Sequence, residues 1–149
     1  MMLSAHFSLE ELIASEVAAR AGLDNTPPPA VMSHLSRLAE SLELVRVALG
    51  NNAIHVTSGY RSPKLNQMIG GSKNSMHMKG LAADILCPAF GSPLEVCRAI
   101  VTSSIQTDQI IHEFGRWCHV AFAPEGQTAR NELLTIRTSG PELGLHGIV

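Results

Sequence analysis

The chain has 149 residues and a formal net charge of −2, from 11 Lys and Arg against 13 Asp and Glu. A chain of this length can form one domain with a sizeable hydrophobic core. The scattered positive charges form no basic stripe, so we expect no nucleic-acid partner. The three cysteines are odd in number and have no Cys-x-x-Cys spacing, which argues against a disulfide framework and against a cysteine-rich zinc site.

The first fifty residues are predicted to be largely helical. Ser8 and Glu11 have the spacing of a capping box, which predicts a helix over residues 9–21 that ends at Gly22. The side chains expected to pack inward are Phe7, Leu12, Ile13 and Val17. No positively charged leader followed by a long apolar run is visible, so we expect neither a signal peptide nor membrane insertion.

Shorter elements follow a proline-rich connector. Residues 24–29 form that connector, since each proline fixes its own φ angle. Apolar residues at helical spacing predict a scaffold helix over 30–49, and alternation predicts a strand over 54–58. A short helix is expected over 62–69, with proline in its first turn, and a glycine-rich loop over 70–74.

The second half of the chain alternates strands with one helix. The helix is predicted over 92–103, and residues 139–149 are expected to be loosely ordered. The predicted strands are 81–86, 108–113, 117–122 and 133–138. The sequence therefore predicts an α+β fold with a small, mainly antiparallel sheet and flanking helices.

Two histidines and an aspartate have the composition of a catalytic zinc site. His77 and Asp84 lie in one segment, and His119 comes from a later one. Two imidazoles and a carboxylate suit Zn²⁺ and leave a fourth tetrahedral position open for water. On one straight helix His77 and Asp84 would lie about 10 Å apart, so we expect Gly80 to bend the chain between them. The buried Asp84 carboxylate needs a cation or several hydrogen-bond donors.

These residues also carry a family resemblance. The pattern Ser-x-His-x-x-Gly-x-Ala-x-Asp at 75–84, followed by Trp-x-His at 117–119, resembles the zinc-binding signature of the M15 peptidases. This is the D-Ala-D-Ala carboxypeptidase and peptidoglycan endopeptidase family. Ser-Gly-Tyr-Arg at 58–61 is similar to an upstream segment of the same family. The likeness runs from about residue 7 to residue 122, and it is closest to the short single-domain branch often found in phage genomes.

The resemblance implies a fold of the hedgehog and DD-peptidase type, with Zn²⁺ as cofactor. His77, Asp84 and His119 would be the metal ligands. The chain is then expected to be one M15-like metallopeptidase domain over 1–149. Its expected parts are a helical N-terminal part at 1–50, a metal-site core at 51–123 and a C-terminal tail at 124–149.

The implied reaction is hydrolysis of a peptide bond in the stem peptides of bacterial peptidoglycan. The chain would act as a D-Ala-D-Ala carboxypeptidase or an endopeptidase, in the role of a phage endolysin. We expect a monomer, made in the host cytoplasm, that reaches the cell wall or periplasm after release or as a virion component. The alternative is a non-catalytic, metal-containing module that binds the cell wall or belongs to the virion.

The predicted site offers two candidates beside the metal, Glu113 and His112, of which Glu113 is predicted to be the general base. Several M15 branches have an acidic residue three positions before the last histidine ligand, but Arg116 occupies that position here. In the short branch the glutamate before the hairpin looks equivalent, which points to Glu113. A two-residue turn would instead place His112 opposite His119, because each slip of one residue reverses the side-chain direction.

The remaining predicted site residues are expected to face the substrate. Arg61 resembles the family's substrate-facing arginine, and a guanidinium can grip a carboxylate or carbonyl through two parallel hydrogen bonds. Ser75 either hydrogen-bonds a ligand or caps a turn. Tyr60 either lines the cleft or packs in the core, and Trp117 is expected to contact the substrate.

Overall fold

The computed structural model describes residues 1–148 of the chain. It confirms the α+β prediction. The helices and strands in chain order are α1 (Leu9–Ile13), α2 (Glu16–Ala21), α3 (Pro29–Ala48), β1 (His55–Ser58), α4 (Pro63–Met68), a 3₁₀ turn (Met76–Lys79), β2 (Ala82–Leu86), α5 (Pro93–Thr102), β3 (Gln109–Glu113), β4 (Trp117–Ala121), β5 (Glu132–Arg137) and β6 (Gly140–Leu143).

The strands form one sheet in the order β1-β2-β4-β3-β5-β6. All neighbouring pairs are antiparallel except β3 and β5, which are parallel. Side chains that lie opposite each other across a ladder point to the same face of a sheet. One such row crosses all six strands and contains, from β1 to β6, Ser58, Asp84, His119, Ile111, Leu134 and Leu143. Two of the predicted metal ligands therefore share one face.

The hydrophobic core lies on the opposite face of the sheet. There α5 packs against β3 and β4, and α3 supplies a line of buried leucines. The buried side chains of the sheet in this core include Ala83, Ile85, Ile110, Cys118 and Val120. The sheet thus separates an apolar core from a face that carries ionisable groups.

The predicted N-terminal helix is wrong in its middle, because it is broken into α1 and α2 at Ala14. In a continuous helix the Leu12 carbonyl would accept a hydrogen bond from an amide one turn later in the same helix. Here it accepts the Tyr60 amide instead, at 2.7 Å. Ser15 then starts α2 by accepting the Ala18 amide at 3.1 Å. Val17, expected to face inward, is 42% exposed. The N-terminal segment is thereby bonded to the end of β1, close to Arg61.

The tail differs from the prediction of loose order, since β6 (Gly140–Leu143) pairs with β5. The end of the chain is also tied back, because the Thr135 hydroxyl donates to the Gly144 carbonyl at 2.9 Å and accepts the His146 amide at 2.8 Å. Val149 lies outside the described residues. No helix among residues 1–148 combines the length and apolar character needed to cross a lipid bilayer.

Candidate metal centre

His77 is placed by a sharp turn between α4 and β2. The Ser75 hydroxyl accepts the His77 amide at 3.2 Å and caps the 3₁₀ turn that carries this histidine. Gly80 ends the turn with φ +71°, and a Cβ there would lie 2.8 Å from Val31 Cγ1. The chain can double back here because glycine tolerates both the left-handed backbone and the close approach. The predicted bend at Gly80 is confirmed.

Asp84 and His119 are direct partners across the β2–β4 ladder. Asp84 Oδ1 lies 3.0 Å from His119 Nδ1 and 3.3 Å from His77 Nε2. Potential ligand atoms of the three residues all lie within 4.8 Å of one another, and all three residues are buried. The prediction that these side chains converge on one point agrees with this geometry.

The cluster fits a zinc ion in both distance and chemistry. Tetrahedral zinc with bonds of about 2.0–2.1 Å separates neighbouring ligand atoms by about 3.3 Å, close to the distances that Asp84 Oδ1 makes. His77 Nδ1 donates to the Gly59 carbonyl at 2.7 Å, which leaves Nε2 as the atom that faces the cluster. That Nε2 is buried and has no hydrogen-bond partner in the described part of the chain. An unpartnered buried nitrogen aimed at a carboxylate is what a metal ion would satisfy.

The Asp84 carboxylate is held in its ionised form. Burial alone would raise its pKa, but the hydrogen bond from His119 and the close approach of the His77 imidazole outweigh burial and hold the pKa of Asp84 well below its usual range. Arg61 Nη2 also approaches the second carboxylate oxygen, Oδ2, at 3.4 Å. Asp84 is therefore available as an anionic ligand at neutral pH.

Glu113 lies on the same face as the cluster, while His112 does not. The hairpin loop spans residues 114–116, so Glu113 pairs with Trp117 and shares a face with His119. Glu113 Oε1 lies 3.8 Å from His119 Nδ1. His112 points to the other face and donates from Nδ1 to the His146 carbonyl at 2.8 Å. Of the two alternatives, Glu113 is the one that the fold brings to the cluster.

The Glu113 carboxyl has an environment suited to proton transfer. Burial raises its pKa, and the nearby charge of Asp84 raises it further, against the opposite effects of His119 and Arg61. Its side chain keeps 18% of its surface exposed, so it remains accessible from solvent. A carboxylate with a raised pKa beside a polarising centre can accept and return a proton near neutral pH.

The Arg61 side chain is held by three contacts. Its Nε donates to Ser58 Oγ at 3.2 Å, Nη1 donates to Asn66 Oδ1 at 3.1 Å, and Nη2 faces Asp84 Oδ2. Its backbone amide donates to the His77 carbonyl at 3.1 Å. The side chain is 14% exposed. Arg61 is therefore tied to the cluster through both backbone and side chain.

The other predicted contact residues differ in position. Tyr60 is 3% exposed and belongs to the hydrophobic core, so packing, the second of its two alternatives, describes its ring. Ser75 acts as a turn cap. Trp117 lies beside Glu113 on the metal face and stacks edge-on against Phe114, with ring centroids 5.9 Å apart. Its indole nitrogen is buried and lacks a hydrogen-bond partner within residues 1–148.

Sequence reasoning missed two groups that support the site. The Gly59 carbonyl orients His77, and the Asn66 amide holds Arg61. A backbone carbonyl leaves no mark in a sequence. Asn66 does leave a weak signal, since it is an amide beside Leu65 in a short helix just before Gly70 and Gly71.

Comparison with known proteins places this cluster in a family. The peptidase M15 family matches residues 5–121. A zinc D-Ala-D-Ala carboxypeptidase of Streptomyces albus G is 46% identical over 44 residues, which are 30% of this chain and 17% of that protein. The matched part of the chain thus spans less than a fifth of the length of that relative. Both the match to most of the chain and the His77-Asp84-His119 cluster agree with the predicted zinc metallopeptidase class. The chain belongs to the peptidase M15 family.

Proposed function

We propose that the chain is a zinc-dependent peptidase that hydrolyses peptide bonds in the stem peptides of bacterial peptidoglycan. The observation that carries this proposal is the Glu113 carboxylate, 3.8 Å from His119 Nδ1, beside a buried cluster of two imidazoles and one carboxylate. A metal site that only stabilised a fold would not need a partly buried carboxylate next to it. The name of the curated relative supports zinc as the metal and a D-Ala-D-Ala terminus as one candidate substrate.

His77, Asp84 and His119 would hold the ion through Nε2, Oδ1 and Nδ1 respectively. When bound, zinc supplies Lewis acidity, which lowers the pKa of a water and polarises the scissile carbonyl. The hydrogen bond from His77 Nδ1 to Gly59 fixes the ring orientation that this role needs. Asp84 contributes one negative charge, and its Oδ2 remains paired with Arg61.

Glu113 would act as general base and then as general acid. Its carboxylate takes a proton from the attacking water and returns it to the amine of the departing residue. The raised pKa of Glu113 favours the return step, because the protonated form survives closer to neutral pH. Burial also removes competing water from most of the side chain.

Arg61 would orient the substrate. Three of its five N–H groups point at Ser58, Asn66 and Asp84, which leaves two for a peptide carbonyl or carboxylate at the cleft. A guanidinium that is already fixed loses little freedom when substrate binds. Trp117, on the same face, would form an apolar wall beside the scissile bond.

The role as a phage endolysin rests on resemblance to the short single-domain branch of the family. A carboxypeptidase must hold a free chain end on the leaving-group side of the scissile bond, whereas an endopeptidase must accommodate continuing chain on both sides of it. Both activities would use the same zinc chemistry, but they release different products. Analysis of the products therefore distinguishes them.

The experiment is digestion of purified peptidoglycan, followed by mass spectrometry of the released fragments. Zinc-loaded protein should release free D-Ala if it is a carboxypeptidase, or shorten cross-linked muropeptides if it is an endopeptidase. Chelator should stop the reaction and added zinc should restore it. Zinc-loaded, folded protein that releases neither product would refute the proposal and favour the non-catalytic module.

A further inference from the structure

Asn66 is a buried polar side chain beside the proposed site that neither the ligand set nor the general base explains. It lies in α4 (Pro63–Met68) and is 3% exposed. Its Oδ1 accepts from Arg61 Nη1 at 3.1 Å, and its Nδ2 donates to the Ser72 carbonyl at 2.9 Å. Both ends of the amide are therefore used, one toward Arg61 and one toward the loop that follows α4.

Gly71 makes room for this arrangement. A Cβ at residue 71 would lie 2.1 Å from Asn66 Oδ1 and 3.0 Å from Arg61 Nη1. The backbone of Gly71 does not need a positive φ angle, because the glycines with positive φ are at other positions. The absence of a side chain at Gly71 thus serves the contact between Asn66 and Arg61 and not a turn conformation.

The guanidinium of Arg61 needs such a holder. Its contact with Asp84 Oδ2 is long, at 3.4 Å, and an arginine side chain gives up many rotamers when it is fixed. Ser58 holds the Nε edge of the plane and Asn66 holds the Nη1 edge. Without Asn66, the guanidinium would keep the Ser58 contact at its Nε edge and only the long contact with Asp84 at its other edge, so its direction would be fixed less firmly.

We propose that Asn66 is a positioning residue that acts through Arg61, by fixing the guanidinium against Asp84 and toward the cleft. This inference rests on the proposed function for its kinetic consequence. Its consequence for metal binding is independent of any substrate, because Arg61 is paired with the outer oxygen of a candidate ligand. Groups that orient metal ligands in this way typically change metal affinity or activity about 10- to 100-fold when removed.

The test is a double-mutant cycle of Asn66→Ala and Arg61→Ala, read by two assays. The first is zinc affinity, measured by competition with a chromogenic chelator. The second is kcat and KM on an acetylated tripeptide that ends in D-Ala-D-Ala, or on the cross-linked muropeptide if that is the substrate found. Asn66→Ala alone should weaken zinc binding about tenfold and lower kcat/KM about 10- to 100-fold. In the Arg61→Ala background the same change should alter either quantity less than about threefold, because the residue it acts through is gone.

Three further variants separate positioning from general support of the fold. Asn66→Asp keeps an oxygen for Arg61 but loses the donor to Ser72, so it should retain most of the zinc affinity and activity. Gly71→Ala, which crowds Asn66 Oδ1, should reproduce the loss, and it serves in place of Asn66→Ala if that variant does not fold. Asn52→Ala is the matched control, since Asn52 Nδ2 also donates to a backbone carbonyl, that of Leu49, at 2.8 Å. It should change neither assay.

The proposal is overturned if the losses from Asn66→Ala and Arg61→Ala multiply, or if Asn66→Asp is as impaired as Asn66→Ala. Either result would mean that Asn66 supports the loop and not the guanidinium. If the wild-type protein hydrolyses neither substrate, the proposed function fails. The chelator competition then still decides whether Asn66 acts through Arg61.

Discussion

Replacing Glu113 by Gln tests the proposed chemistry with the smallest change in shape. Glu113 is the carboxylate beside the cluster that is not already committed, because Asp84 is engaged by His77, His119 and Arg61. The variant should lose the full effect of a general base, about 10²- to 10⁴-fold in kcat. This corresponds to about 3–5 kcal/mol of transition-state stabilisation. Zinc stoichiometry should stay the same, since Glu113 is not a proposed ligand.

The same variant should make the metal-free protein more stable at neutral pH. Burial and the charge of Asp84 raise the pKa of Glu113 in the folded state. The stability linked to this raised pKa is present below the ordinary value of about 4.3 and is lost as the pH rises through the folded-state pKa. At pH 7 the ionised Glu113 therefore opposes folding, and Gln removes that cost. The Tm of the metal-free variant should exceed that of the wild type at pH 7, and the difference should shrink in acid.

The measurements are steady-state kinetics for kcat, zinc analysis for the stoichiometry and thermal denaturation for the Tm. Glu40→Gln is the matched control, because Glu40 is exposed on α3 and is not one of the proposed site residues. It should leave kcat unchanged. A Glu113→Gln variant that keeps kcat within about tenfold of the wild type would refute the role of Glu113 as the base. A lower Tm for the metal-free variant would refute the account of its electrostatic environment.

Three more predictions concern metal binding and stability. Zinc at 100 times its Kd should stabilise the wild type by about 2.7 kcal/mol and raise its Tm by about 5–10 °C. The His77→Ala variant should show no zinc-dependent change in Tm. An equal change in Tm in both proteins would mean that the ion binds elsewhere. Gly80→Ala should lower the free energy of unfolding in urea by about 2–3 kcal/mol, because it adds a clash with Val31 to the strain of a positive φ. Gly126→Ala should lower it by about 1 kcal/mol, because Gly126 has φ +80° but open space around it. Equal losses in the two variants would contradict the packing argument. Asp108→Asn should cost about 1–2 kcal/mol, since Asp108 accepts three hydrogen bonds from the Arg130 side chain.

The contribution of Asp108 to stability should depend on pH. The hydrogen bonds from Arg130 hold the pKa of Asp108 below its ordinary value. Its contribution to stability is therefore complete above the unfolded-state pKa of about 3.9 and is lost as the pH falls through the lower folded-state value. The Tm difference between wild type and Asp108→Asn should be constant above about pH 5 and should close only in stronger acid. A difference that closes between pH 7 and pH 5 would contradict this assignment.

Local patterns predicted the elements that depend on local chemistry. The helix α3, the strand pair β3 and β4, and the bend at Gly80 follow from apolar spacing, alternation and one glycine. The convergence of His77, Asp84 and His119 was predictable because the motif combines two imidazoles with one carboxylate, and buried groups of these two types can satisfy each other around one ion.

Long-range contacts account for what the sequence did not predict. The break between α1 and α2 depends on a hydrogen bond from Tyr60 to Leu12, residues far apart in the chain. The family resemblance favoured Glu113 over His112, but residue patterns alone left both open. The choice depends on one residue of loop length, which decides the face of a strand and leaves the pattern of residue types unchanged. The sequence signal of Asn66 is weak, and its contact with Arg61 is seen only in the folded chain, where α4 lies against Arg61.

The direct pairing of Asp84 with His119 has a consequence for the order of assembly. Two of the three candidate ligands meet only if β2 and β4 align without a shift, because a slip of one residue would turn either side chain to the apolar core. The site cannot form before that alignment exists. Ion uptake would then follow formation of the sheet, so zinc should slow unfolding while leaving the refolding rate almost unchanged.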